Sequence, residues 1–105
     1  MEDLDRIRKE INAIDDEILA ALAKRREVTE RVIRQKAEAG LSLPDPRREE
    51  DILNRLIQKG RELGLDSHLV TRIYHEVIDD SVRIQQLFLL NKANRGNEGM
   101  IRVAF

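Results

Sequence analysis

Apolar residues along the first third of the chain recur at alternating steps of three and four: Leu4, Ile7, Ile11, Ile14, Ile18, Val28 and Val32. That spacing is the seam of a helix packed along its length, and it predicts a single helix over residues 3 to 39, unbroken until Gly40. After the connector "GLSLPDP", Pro46 suits the first turn of a second helix with Asp45 as its N-cap. Ile52, Leu53, Leu56 and Ile57 form the apolar side of that helix, which stops near "KGRELGL". Asp66 then caps a third helix reaching about residue 92, with Leu69, Val70, Ile73, Val77, Ile84 and Phe88 facing inward. The pattern is all-α, three helices per chain with one very long. A helical domain covers residues 1–92, followed by a tail at 93–105. The closing "MIRVAF" alternates like the start of a strand. Nothing else in the chain could pair with it, so it reads either as a frayed end or as the opening of a following domain.

The first helix is too long for its chain. Some 36 residues span roughly 54 Å at about 1.5 Å each, whereas a compact domain of this length has a radius of gyration of only about 13 Å. The remaining residues cannot cover such a seam, and a second copy can. The expected assembly is therefore a helical homodimer.

Composition narrows the function. Across 105 residues the net charge is −1, with 37% charged residues of both signs well mixed. A nucleic-acid surface would need clustered Lys and Arg, so no nucleic-acid partner is expected. With 41% hydrophobic residues the chain can fold, and without cysteine it has no disulfide framework and no thiolate chemistry. Neither an apolar signal core nor a membrane-length apolar run is present, which gives the expectation of a soluble, cytoplasmic protein without a membrane partner. Aromatics make up only 3%, too few for a stacking site. His68 and His75 lack an acid or Cys at metal-ligand spacing, and no metal site is expected.

The informative residues are charges that break apolar faces. The seam of the first helix calls for a hydrophobe at position 25 and has Arg25 instead. Lys36, eleven residues further on, returns to nearly the same face about 16 Å along the axis. The third helix is interrupted by Ser81 and Gln85, one turn apart on one face. In "LPDPRREED", Asp45, Arg48 and Glu49 share a side by their spacing of three and four. One reading is structural: Arg25 pairs with Glu49 or Asp45, and Ser81 and Gln85 bond to backbone. In the other, these donors converge on a small anionic ligand whose carboxylates an Arg grips through two hydrogen bonds. Arg8 flanks the seam about 25 Å from Arg25, too far to share that ligand within one chain. An antiparallel copy could bring it there; otherwise it is an exposed Arg. "RKE" and "KRRE" read as solvated faces.

With these residues in view, the chain from about Leu4 to Leu90 closely resembles the all-helical chorismate mutases. The resemblance is strongest to the N-terminal mutase domain of the bifunctional chorismate mutase–prephenate dehydratases. It is carried by "IRKEINAIDDEILAALAKRRE", Lys36, "DPRRE" and "DDSVRIQQ". The closing "RVAF" is similar to the start of the dehydratase domain. The family resemblance implies an isomerase that turns chorismate into prephenate in aromatic amino-acid biosynthesis, with no cofactor. It implies an intertwined dimer with two sites, each completed by Arg8 of the neighbouring chain. By the same resemblance Arg25 binds one substrate carboxylate, Lys36 reaches the other carboxylate and the ether oxygen, and Gln85 donates to that oxygen. Asp45 and Glu49 address the ring hydroxyl, while Arg48 and Ser81 support carboxylate binding. Two rivals stand behind this reading: an isochorismate-pyruvate lyase on the same fold, and a non-enzymatic helical dimer whose polar seam residues only set register.

Overall fold

The computed structural model describes residues 3–40 and 46–96, and within them every regular element is a helix: α1 (Leu4–Glu38), α2 (Pro46–Glu62) and α3 (Ser67–Gly96). The expected all-α architecture is therefore present, with α1 the longest at 35 residues. Asp3 adopts an extended backbone and caps α1, its carboxylate accepting from the Asp5 amide. The helix ends where Gly40 takes φ +72°, the left-handed turn that glycine adopts without a Cβ penalty. Asp45, expected to cap α2, and the strand-like "MIRVAF" lie outside the described residues.

The turn from α2 to α3 is built by local rules. Gly64 has φ +79°; its amide donates to the Arg61 carbonyl at 3.0 Å, and the Leu65 amide donates to the Gly60 carbonyl at 2.8 Å. This paired closure satisfies the last carbonyls of α2. Asp66 then accepts from the amides of His68 and Leu69, both at 3.3 Å, and starts α3 as its sequence position predicts. The third helix continues to Gly96, past the expected end near residue 92. The run "NKAN" carries no Pro or Gly, so nothing stops the helix before Gly96.

Packing passes through α3, which contacts both other helices. Ile52, Leu53, Leu56 and Ile57 of α2 are half-buried, the apolar stripe expected of that helix. The helices come closest where buried Gly60 meets Val70. A Cβ added at Gly60 would lie 2.6 Å from Val70 Cγ2, well inside van der Waals contact. Gly60→Ala is accordingly expected to destabilise the fold by about 1–3 kcal/mol through overpacking. The helix-propensity gain of Ala over Gly, about 0.5–1 kcal/mol, offsets only part of that. Denaturant titration of the variant beside the parent measures the difference.

The single chain has little interior. Among the described residues, Ile33 and Val70 are the buried hydrophobic side chains, at 2% and 5% exposure. Along α1, Leu4, Ile11, Ile14, Ile18, Val28 and Val32 remain 40–56% exposed. On α3, Leu69 and Ile73 were expected to face inward, yet they are 45% and 49% exposed. The reason is geometric: both fall on the side of α3 that neither α1 nor α2 covers. The radius of gyration is 19.1 Å, against the roughly 13 Å of a compact domain of this length.

Candidate active site

All three helices contribute to one cleft of about 780 Å³, within the usual range for small-ligand sites. From α1 come Arg25 and Lys36, from α2 Arg48 and Glu49, and from α3 Ser81 and Gln85. Six residues singled out in the sequence thus converge on one volume. Arg25 and Lys36 do so because eleven residues at 100° each bring both onto one side of α1. Ser81 and Gln85 do so because they are one turn apart. Val28, Val32, Ile52 and Ile78 supply apolar wall between the polar groups.

Arg25 is half-buried, and its Nη1 donates to Ser81 Oγ at 2.8 Å. Ser81 Oγ in turn donates to the Val77 carbonyl at 3.2 Å, one turn back on α3. Among the described residues, Arg25 bonds to this neutral hydroxyl and not to Glu49, one of the two acids expected under the structural reading. The guanidinium is therefore oriented without a carboxylate partner among the described residues. The backbone bond expected of Ser81 is present as well, so a single hydroxyl serves both readings. Lys36 and Gln85 are half-buried, Arg48 is exposed, and Glu49 is half-buried.

Two polar residues of the cleft escaped the sequence reading, Lys24 and Thr29. Thr29 is half-buried and lies one turn after Arg25 and two turns before Lys36. Extending the helical period from the two cations would have found it. Lys24 precedes Arg25 within "KRRE", which reads as solvated surface, and it is exposed. With both included, the described residues of the cleft bring the cations Lys24, Arg25, Lys36 and Arg48 together with one acid, Glu49. Such a lining attracts a compact anion with more than one negative charge.

Arg8 is exposed on α1 and is not part of the cleft lining. Asp45, the remaining expected site residue, lies outside the described residues. No helix among the described residues is long and apolar enough to cross a membrane.

An all-helical chain with an excess of positive charge in one cleft, and hydrogen-bond donors held rigidly on helices, is suited to gripping a small polyanion and stabilising charge on it. The relatives make that class specific. Residues 7–86 match the family model of chorismate mutase type II, and the chain belongs to that family. It is 39% identical over 99 residues to the bifunctional chorismate mutase/prephenate dehydratase of Escherichia coli (strain K12), covering 94% of this chain and 26% of that protein. The bifunctional relative in Aquifex aeolicus is 30% identical over 89 residues. The chain thus spans about a quarter of the length of its bifunctional relatives. The chorismate mutase of Methanocaldococcus jannaschii is 29% identical over 98 residues, and there the match covers 99% of the relative.

Proposed function

We propose that the chain converts chorismate to prephenate, acting as a homodimer in aromatic amino-acid biosynthesis. The observation that carries the reading is the cleft itself: among its described residues, four cations beside one acid, with Ser81 and Gln85 as neutral donors. Chorismate is a dianion with two carboxylates, a ring hydroxyl and an ether oxygen that gains negative charge as the bond to it breaks. Arg25, held by Ser81, takes one carboxylate. Lys36 takes the other and also donates to the ether oxygen, to which Gln85 gives a second donor. Glu49 and Asp45 accept from the ring hydroxyl, and Arg48 supports the carboxylates. The rearrangement is unimolecular and forms no covalent intermediate with the protein. Its acceleration comes from folding the enolpyruvyl arm over the ring and from fixed donors at the oxygen where charge develops. This reading assigns the activity to residues 1–92.

A second copy completes the arrangement. The exposed apolar residues of α1 run from Leu4 to Val32, interrupted at Arg25, and the accessible surface of 8972 Å² exceeds the roughly 6,100 Å² of a compact monomer of this mass. The surplus is of the size that obligate homodimers bury. Antiparallel pairing of the α1 seams would carry Arg8 of one protomer into the cleft of its partner and add a further cation there. The purified chain mixed with chorismate is the direct test. Loss of chorismate with matching appearance of prephenate supports the reading. No turnover by a folded dimer would overturn it, and pyruvate released from isochorismate would assign the cleft to lyase chemistry instead.

A further inference from the structure

Beside the cleft lies a polar tie that the substrate contacts do not use. Arg26 Nε donates to Asp80 Oδ2 at 3.2 Å and Arg26 Nη2 to Asp80 Oδ1 at 2.8 Å, a two-point grip between α1 and α3. Arg83 Nη2 stands 4.0 Å from the same Oδ1, one turn along α3. Arg26 and Asp80 are the immediate sequence neighbours of Arg25 and Ser81, which bond to each other across the same crossing. Neighbouring helix residues point about 100° apart, so the two ties grip the crossing from different sides. One is turned into the cleft, the other away from it.

We propose that Arg26 and Asp80 are a positioning pair for the reaction: their ion pair sets the register of α1 against α3 and so aims the Arg25 guanidinium and spaces Lys36 from Gln85. The reasoning is mechanical. Apolar packing at this crossing is thin, Ile33 being the one side chain of α1 that is buried. Across a thin contact, a helix can slide or roll unless something directional holds it. A fork-shaped guanidinium meeting a carboxylate through two hydrogen bonds resists both motions, because sliding breaks one bond and rolling misaligns both. Lys36 lies ten residues beyond Arg26 on α1, and Gln85 five beyond Asp80 on α3. A shift at the tie is therefore transmitted by two rigid helices to the donors proposed to meet the ether oxygen. Arg83 shares the carboxylate and keeps it directed along α3.

This proposal rests on the chorismate reading for its kinetic readout only. Asp80→Ala is expected to lower kcat about tenfold with a smaller change in KM, since orientation of bound substrate suffers more than its capture. Asp80→Glu, which can still grip the guanidinium, should recover most of the rate. Because the pair is partly solvent-exposed, at 58% and 34% for the two side chains, added salt should lower kcat of the parent at saturating substrate and leave Asp80→Ala unaffected. A second readout needs no turnover. The order parameter of the Arg25 Nε–H bond, followed by NMR relaxation, should fall in Asp80→Ala while backbone amide signals of α1 and α3 keep their positions. An unchanged kcat together with an unchanged Arg25 order parameter would overturn the proposal. So would a loss of rate that follows loss of helix signal or of the dimer, since the pair would then only hold the fold. Failure of the parent chain to consume chorismate would count against the activity reading, and the Arg25 measurement would still decide the tie.

Discussion

Lys36→Ala is expected to lower kcat for chorismate by a factor of about 10² to 10³, the usual cost of removing one preorganised donor from an oxygen that becomes negative. Lys36 is half-buried in the cleft and sits in the last turn of α1. There a cation is favoured by the helix dipole by no more than about 1 kcal/mol. The fold should therefore survive the substitution, and circular dichroism and mass in solution should match the parent. The informative control is Lys24→Ala. Lys24 lines the same cleft and carries the same charge, but it is exposed. If positive potential alone were at work, the two variants would lose similar rate. If a donor fixed at the ether oxygen is required, Lys24→Ala should cost far less than Lys36→Ala. Steady-state rates of both variants at saturating chorismate separate the two cases.

The second large effect is a gain. Arg8→Ala and Lys36→Ala chains, each nearly inactive alone, should recover activity when unfolded together and refolded as a mixture. In a mixed dimer, one cleft has its own Lys36 and receives Arg8 from the Lys36→Ala chain, while the other cleft lacks both. Random pairing gives half mixed dimers with one intact site in two, so about a quarter of the parent rate should return. Absence of recovery would mean that Arg8 serves its own chain or no chain. Arg8 lies about 25 Å from Arg25 along α1, so only exchange between copies makes the recovery possible.

Much of this arrangement was legible in the residues. The three helices follow from the three-and-four period, from the Asp66 cap and from the glycines at 40 and 64. The cleft follows in outline from Arg25, Lys36, Ser81 and Gln85, each a polar group where the period demands an apolar one. The choice of partners was not legible. Pairing a cation with an acid suggested Glu49 as a partner for Arg25, and among the described residues the three-dimensional crossing gave it Ser81. Arg26 and Asp80 were hidden for a different reason. They occupy positions where charge is ordinary, and only the crossing of α1 over α3 distinguishes this pair from solvated surface. The inward face assigned to Leu69 and Ile73 assumed that one chain covers its own helices. A period marks which side of a helix is apolar and cannot say which molecule covers it.

That the backbone of α1 packs closely against α3 and not against α2 also bears on how the molecule assembles in time. Contacts within a helix, and those across the short α2–α3 turn, close over little intervening chain, so they form on the microsecond-to-millisecond scale typical of helical proteins. What remains is the long apolar stripe of α1, which in the proposed dimer would find its cover by diffusion. Refolding from denaturant should then show a fast unimolecular phase of helix formation followed by a slower phase whose rate rises with chain concentration. On the proposed dimer, catalytic activity should return only with the second phase, when the encounter of two chains would bring Arg8 to the cleft.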